Sequence, residues 1–168
     1  SEGVLGAVVL VNATREPGPA GKFKIRASFA GAVAEVDVPG ILPLTIRKVP
    51  ISIAARPELP PGEAPLKLEL LTAGGETADT AELTMRVADK HDWRRVTFES
   101  GIDGSVQYYC MWPPAAGGDP NQLPGLIFTV HGASVEATNQ IKAYTPKTWA
   151  HIVAPTNRAA ERIAQARF

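Results

Sequence analysis

The sequence of 168 residues contains a single cysteine, Cys110. One cysteine has no partner within the chain, so a disulfide framework like that of small secreted domains is excluded. The histidines, His91, His131 and His151, lack metal-ligand spacing to cysteines or acidic residues, and no glycine-rich phosphate-binding loop is present. We therefore expect no metal and no cofactor. Because Cys110 lies in an apolar stretch, we expect it to be a small core residue.

The chain also lacks an excess of charge and a long apolar run. It has 17 basic and 17 acidic residues, so its formal net charge is zero. That balance provides no electrostatic attraction for nucleic acid or for an anionic membrane. No apolar run reaches the roughly 18 residues of a membrane span, and residues 4–11 lack the basic lead of a signal peptide. We expect no nucleic-acid partner and no membrane span.

Glycine and proline are plentiful, with 15 of each among 168 residues. They separate short segments in which apolar and polar residues alternate, as residues 23–29 do. Six or seven such strands in the first ninety or so residues, without a convincing helix, predict an immunoglobulin-like β-sandwich over residues 1–90. Pro50 cannot donate a ladder hydrogen bond, so its strand is predicted to lie at a sheet edge.

Two roles for this sandwich stay open on the sequence alone. It lacks the Cys–Trp–Cys core of antibody domains, so the prediction depends on strand count and alternation. A spacer or packing domain is one interpretation. Ligand binding by its loops is the other, although no aromatic cluster marks a sugar-binding face.

The pattern changes near Asp89, and residues 91–168 predict an α/β arrangement. Asp103-Gly104 is a hairpin signal, residues 106–112 form an aromatic-rich strand, and residues 113–124 form a loop. The apolar run 126–130 predicts a strand buried on both faces, as in a sheet covered by helices.

Helical patterns follow this strand. Residues 135–144 predict a helix capped by Ser134 and ended by Pro146. Residues 151–154 predict a strand, and Asn157 is a candidate cap for a final helix over residues 158–168.

The stretch from Asp103-Gly104 through the proline loop to an apolar strand ending in His131-Gly132 resembles the opening of the catalytic domain of α/β-hydrolases of the prolyl-oligopeptidase and esterase kind. The resemblance covers roughly residues 95–157. It implies that residues 91–168 are a partial α/β-hydrolase domain. The fullest family members also carry an N-terminal accessory domain, which the sandwich could supply.

The resemblance also implies a role for the loop of His131, Gly132, Ala133 and Ser134. In this family the loop after the third strand supplies one backbone N–H to the oxyanion hole. Acyl transfer develops an oxyanion, which needs donors already aimed at it. Family members often have a further glycine where Ala133 stands, so the donor stays open among the last three positions. The other interpretation is an ordinary strand-to-helix turn with His131 as a packed residue.

No catalytic residue is assigned, because the family's Gly-x-Ser-x-Gly nucleophile motif is absent from the sequence. His131 and Ser134 are not interpreted as a dyad, since no third group near them orients a base. We expect the N-terminal part of a serine hydrolase, a peptidase or esterase performing acyl transfer, that is inactive by itself. The alternative is a complete, non-catalytic β-rich binding or adhesion module.

The opening strands of an α/β sheet leave apolar faces and an unpaired edge exposed. We therefore predict that a missing catalytic segment, a companion chain or a homo-oligomer covers them. A peptide or an ester is the expected substrate of the full enzyme. The alanine-rich start at Arg158-Ala159 departs from the loop usual in the family, which puts in doubt that residues 159–168 are its natural continuation. One cysteine and a sandwich favour a bacterial periplasmic or secreted protein.

Overall fold

The computed structural model of the chain describes residues 3–54, 59–130, 132 and 134–156. In these residues the chain forms ten β-strands and one short α-helix, so the fold is mainly β, as predicted. It divides into two compact units, residues 1–87 with 99–106 and residues 88–98 with 107–168. The proposed boundary at residues 90 and 91 stays a prediction, as does the family of each domain.

The first unit contains two sheets. One sheet has the antiparallel order β3-β2-β5-β6, and the other pairs β1 with β4. The strands are β1 (Val4–Asn12), β2 (Phe23–Phe29), β3 (Ala32–Asp37), β4 (Thr45–Ile53), β5 (Gly62–Thr72) and β6 (Thr77–Val87).

Alternation of apolar and polar residues places one face of each sheet in the core. Along β2, Ile25 and Ala27 are buried, whereas Lys24 is exposed. Val49 and Ile51 of β4 belong to the same buried cluster. Residues of both sheets therefore share one core, and the sandwich-like, mainly β prediction is confirmed.

The predicted edge position of Pro50 is also confirmed. Pro50 lies opposite Ala7, and β4 pairs only with β1 among the described residues. Because β4 lies at an edge, the missing N–H of Pro50 removes no hydrogen bond from an inner pair of strands. β6 is an edge strand of the four-stranded sheet, and its Leu83 is 48% exposed, so alternation does not ensure burial at an edge.

A third sheet has the order β7-β8-β10-β9. β10 runs antiparallel to β8 and parallel to β9. The predicted hairpin turn joins β7 to β8, and Gly104 has φ +66°, a conformation that favours glycine. The elements are β7 (Arg94–Glu99), β8 (Val106–Trp112), β9 (Gly125–Phe128), α1 (Ala137–Lys142) and β10 (Ala150–Pro155).

The helix α1 covers one face of this sheet. Ile152 lies opposite Trp112 and beside Ile127, and these side chains belong to a core that also contains Ile141 of α1. The Trp112 Nε1–H donates a hydrogen bond to the Ile141 carbonyl at 3.0 Å, so strand and helix are joined by both apolar and polar contacts. Cys110 is fully buried in this core, as predicted.

The prediction that residues 126–130 are buried on both faces is wrong. Leu126, Phe128 and Val130 are 68%, 63% and 74% exposed, while Ile127 and Thr129 point to the covered face. The reason is position, because among the described residues β9 is an edge strand and α1 packs against one face of it.

The prediction of a helix capped by Ser134 is also wrong in its bounds. α1 begins after Glu136, which makes no side-chain capping bond, and it ends at Lys142, before Pro146. Ser134 lies in a turn with φ +69°, outside the conformation of an N-cap residue. The predicted final helix and its Asn157 cap lie outside the described residues. No described helix is long and apolar enough to cross a membrane.

Candidate functional site

The candidate loop lies between β9 and α1. The structure describes Gly132 and Ser134 of this loop, whereas His131 and Ala133 lie outside the described residues. Because β9 and β10 are parallel, the loop follows the carboxyl end of a parallel pair. In open α/β sheets that end is where ligands bind.

The backbone of this loop turns sharply. Gly132 accepts a hydrogen bond through its carbonyl from the Val135 N–H at 3.3 Å, and Ser134 adopts the left-handed conformation. Ser134 is exposed, and its N–H has no hydrogen-bond partner among the described residues. That amide is available to bind an acceptor atom of a ligand.

A polar cluster holds the two ends of the loop together. Thr129, at the end of β9, is buried, and its Oγ1 lies 2.8 Å from the Tyr144 hydroxyl. The Gln140 Nε2–H donates to the Thr129 Oγ1 at 2.7 Å. These bonds join the strand end to α1 on the other side of the loop, so the three residues position the loop. We did not predict them from the sequence.

A second network lies at the start of α1. The Arg95 guanidinium donates from Nε and Nη2 to the Thr138 Oγ1 at 3.2 and 3.0 Å, and it lies over the Tyr108 ring. The same hydroxyl lies 3.7 Å from the Cys110 Sγ. Burial raises the pKa of Cys110, while Thr138 and Arg95 partly oppose that shift. The thiol is therefore a neutral packing group rather than a nucleophile.

The described residues do not assemble a nucleophile and base. Ser134 makes no side-chain hydrogen bond in the described part of the chain. His151 lies on β10, and its buried Nδ1 has no described partner. No group of three His, Cys, Asp or Glu residues that could hold a metal occurs within the described ranges. Of the loop residues that the structure describes, Gly132 and Ser134, neither is part of a nucleophile–base pair, and the Ser134 N–H is a backbone donor.

An open groove of about 670 Å³ lies at the other end of β9 and β10. Its lining comes from three segments. Lys90 and His91 precede β7, Asp119 belongs to the proline loop, and Trp149 precedes β10. Trp149 is 58% exposed. The groove is therefore separate from the candidate loop, which follows the opposite ends of the same strands.

One imidazole in this groove has a defined tautomer. The His91 Nδ1 lies 2.7 Å from the Pro114 carbonyl oxygen. A carbonyl only accepts hydrogen bonds, so Nδ1 carries the proton. In the neutral ring, Nε2 is then an acceptor, and His91 and Trp149 both line the groove.

Comparison with known proteins gives only weak similarity. No family model matches the chain, and no curated protein matches it. Among solved structures, it is similar to a thermostable esterase, with 14% sequence identity and a TM-score of 0.31. The match covers 89% of this chain and 53% of the esterase, so the chain spans about half the esterase's length. This similarity is too low to assign a fold or a function to the chain.

Proposed function

We propose that residues 91–168 are the opening part of a serine hydrolase domain and that the Ser134 N–H is an oxyanion-hole donor. The observation that carries the proposal is the backbone N–H of the exposed residue Ser134, in the loop between β9 and α1, which has no hydrogen-bond partner among the described residues. β9 is the third strand of its sheet in chain order, and α1 follows it. In α/β-hydrolases the loop at that place supplies an oxyanion donor.

The chemistry of the full enzyme would be acyl transfer on an ester or a peptide. A serine oxygen attacks the substrate carbonyl carbon, its proton passes to a histidine base, and the carbonyl oxygen becomes an oxyanion. The Ser134 N–H stabilises that oxyanion together with the N–H after the nucleophile. The nucleophile and its base come from outside these 168 residues, because the sequence lacks Gly-x-Ser-x-Gly.

The first experiment uses the printed chain. We expect no hydrolysis of p-nitrophenyl acetate above background and no labelling by a fluorophosphonate probe, because no activated serine is present. Turnover that disappears in Ser134→Ala would show that Ser134 is itself the nucleophile and would contradict the proposal.

The second experiment uses the longer polypeptide, if the reading frame continues into a Gly-x-Ser-x-Gly motif. Replacing the residue 134 amide by an ester removes only its N–H, and kcat should fall by about 10²–10³. Ser134→Ala keeps the N–H and should leave kcat within about twofold. Equal kcat for the ester-bearing and unmodified proteins would reject the Ser134 donor.

A second candidate function is ligand binding without catalysis, and the groove around Trp149 favours it. The groove combines an exposed indole with the charged side chains of Lys90 and Asp119. A reading frame that stops at Phe168, with a chain that folds cooperatively alone, would support this function over the hydrolase.

A further inference from the structure

The groove around Trp149 is formed in advance by backbone contacts. The Ala115 N–H donates to the Lys147 carbonyl at 2.9 Å. Gly118 lies so close to the Thr148 carbonyl that a Cβ atom would overlap it. The proline loop is therefore fixed against the residues before β10, and the groove exists before a ligand arrives, as in most small-ligand sites.

The groove lies within the end of the sheet and needs no open edge. Trp149 precedes β10, which is paired with β8 on one side and with β9 on the other. A strand that a longer chain adds beside β9 takes a different place, and the chain leaves β10 at the end away from the groove. The groove is therefore compatible with both candidate functions.

A flat apolar surface forms one part of the groove. Trp149 is 58% exposed. A Cβ atom at Gly125 would lie 3.6 and 3.7 Å from the ring atoms Cζ3 and Cε3 of Trp149, so the ring rests against the backbone of this glycine. The face of an aromatic ring carries partial negative charge, which attracts the polarised C–H groups of a ligand ring laid flat on it.

Polar groups of both kinds accompany the indole. The Lys90 Nζ, the His91 Nε2 and the Trp149 Nε1–H make no hydrogen bond within the described part of the chain. The Asp119 Oδ1 accepts a hydrogen bond from the Asn121 N–H at 2.9 Å, which leaves the second carboxylate oxygen to a ligand. Lys90 and Trp149 thus offer donors. His91 and Asp119 offer acceptors.

This combination disfavours several classes of ligand. A purely apolar ligand would remove water from these polar groups without replacing their hydrogen bonds. A phosphate ligand needs concentrated positive charge, whereas the charge of Lys90 is balanced here by Asp119. A proline-rich peptide docks in grooves lined by aromatic side chains, and Trp149 is the only Trp, Tyr or Phe among the described residues of this lining.

We propose that this groove binds a saccharide, with one pyranose ring stacked on Trp149. A pyranose carries C–H groups on its faces and hydroxyls around its edge. Each hydroxyl both donates and accepts hydrogen bonds, so the edge can accept from Lys90 and can donate to His91 or Asp119. The volume of about 670 Å³ is in the range of small-ligand sites. Because the groove is open, the ring can belong to an oligosaccharide.

This inference names a ligand class for the groove of the second candidate function, and it holds equally if a catalytic segment follows. The Ser134 N–H takes no part in it. A failure to bind saccharides therefore leaves the oxyanion test unaffected, and a failed oxyanion test leaves saccharide binding unaffected.

Isothermal titration calorimetry of the printed chain tests the ligand class. The probes are cellohexaose, xylohexaose, mannohexaose and chitohexaose, and a decaproline peptide represents the competing class. At least one saccharide should bind with a Kd below about 1 mM, and the peptide should not bind. Binding of the peptide alone, or no binding by any of the saccharides, would overturn the proposal.

Variants locate the binding. Trp149→Ala should raise the Kd at least about tenfold because the ring surface is lost, and Trp149→Phe should raise it less because a ring remains. Asp119→Asn should also raise the Kd, and it lies in an exposed loop, so it tests the site even if Trp149→Ala is unstable. Leu126→Ala is the matched control, since Leu126 is 68% exposed on β9 but does not line the groove. A Kd unchanged in both groove variants, or equal weakening in Leu126→Ala, would refute the site.

The indole N–H signals in an NMR spectrum provide an internal control. The Trp149 signal is identified by its loss in Trp149→Phe, and it should shift when the saccharide is added. The Trp112 N–H donates to the Ile141 carbonyl at 3.0 Å in the core, so its signal should not shift. A saccharide that leaves the Trp149 signal unchanged would place the binding elsewhere and contradict the proposal.

Discussion

Cys110 shows how the surroundings of one residue determine its chemistry. Its thiol is fully buried, with the Thr138 hydroxyl at 3.7 Å from the sulfur. Burial disfavours the thiolate more than the nearby Arg95 favours it, so the pKa lies above its ordinary value of 9.0. The thiol of the native protein therefore stays protonated at pH values at which the thiol of the unfolded chain is ionised.

This difference predicts alkaline destabilisation. Above about pH 9 the native state binds more protons than the unfolded state, so the free energy of unfolding should fall as pH rises. The slope from one thiol cannot exceed about 1.4 kcal/mol per pH unit. Urea denaturation from pH 7 to 10 measures it. Cys110→Ala should be less stable overall, but its free energy of unfolding should lack the part of the pH dependence that the thiol contributes. Identical slopes against pH in both proteins would contradict the assignment.

At the scale of elements, α1 is only six residues long and too short to be stable alone. Its position depends on contacts with neighbouring strands. Thr129 is 7% exposed and meets Gln140 of α1 and Tyr144, which lies two residues beyond the end of the helix. The proposed oxyanion loop is therefore held at both ends by hydrogen bonds.

Removing the central hydroxyl should loosen this link. Thr129→Val keeps the side-chain shape and should lower the free energy of unfolding by about 1 kcal/mol, since the partly exposed partners can regain bonds to water. Thr129→Ser keeps the hydroxyl and is the control. Urea denaturation followed by tryptophan fluorescence measures both. A Val variant as stable as the parent would show that the cluster does not anchor α1.

At the scale of the whole molecule, the described residues form two buried apolar clusters. One includes Ile25 of the sandwich, and the other includes Ile141 and Ile152 of the second unit. All three tryptophans, Trp93, Trp112 and Trp149, belong to the second unit. Tryptophan fluorescence therefore reports directly on that unit.

This arrangement allows the second core to be tested. Ile141 is 0% exposed, and Ile141→Ala should lower the free energy of unfolding measured by tryptophan fluorescence by about 2–5 kcal/mol. Leu123 lies in the same unit and is 92% exposed, and Leu123→Ala should have an effect within about 0.5 kcal/mol. Equal effects at the two positions would contradict the assignment of Ile141 to the core.

The candidate loop was only partly predictable from sequence. The apolar run and His131-Gly132 indicate where the loop lies. The left-handed backbone conformation of Ser134 is a tertiary feature that its residue type does not predict. The polar anchor had a sequence signal, because Thr129 interrupts an apolar run and Gln140 and Tyr144 are four residues apart. Their meeting depends on how α1 packs on β9, which neither segment specifies alone.

By itself, the sequence determined the local elements of this protein. Alternation determined the strand around Ile25, Asp103-Gly104 determined the hairpin turn, and apolar surroundings determined the burial of Cys110, because each depends on nearby residues. Tertiary structure alone decided that β9 lies at an edge with Leu126 and Phe128 exposed. An apolar run favours a strand, but its burial depends on which elements cover each face, and here α1 covers only one.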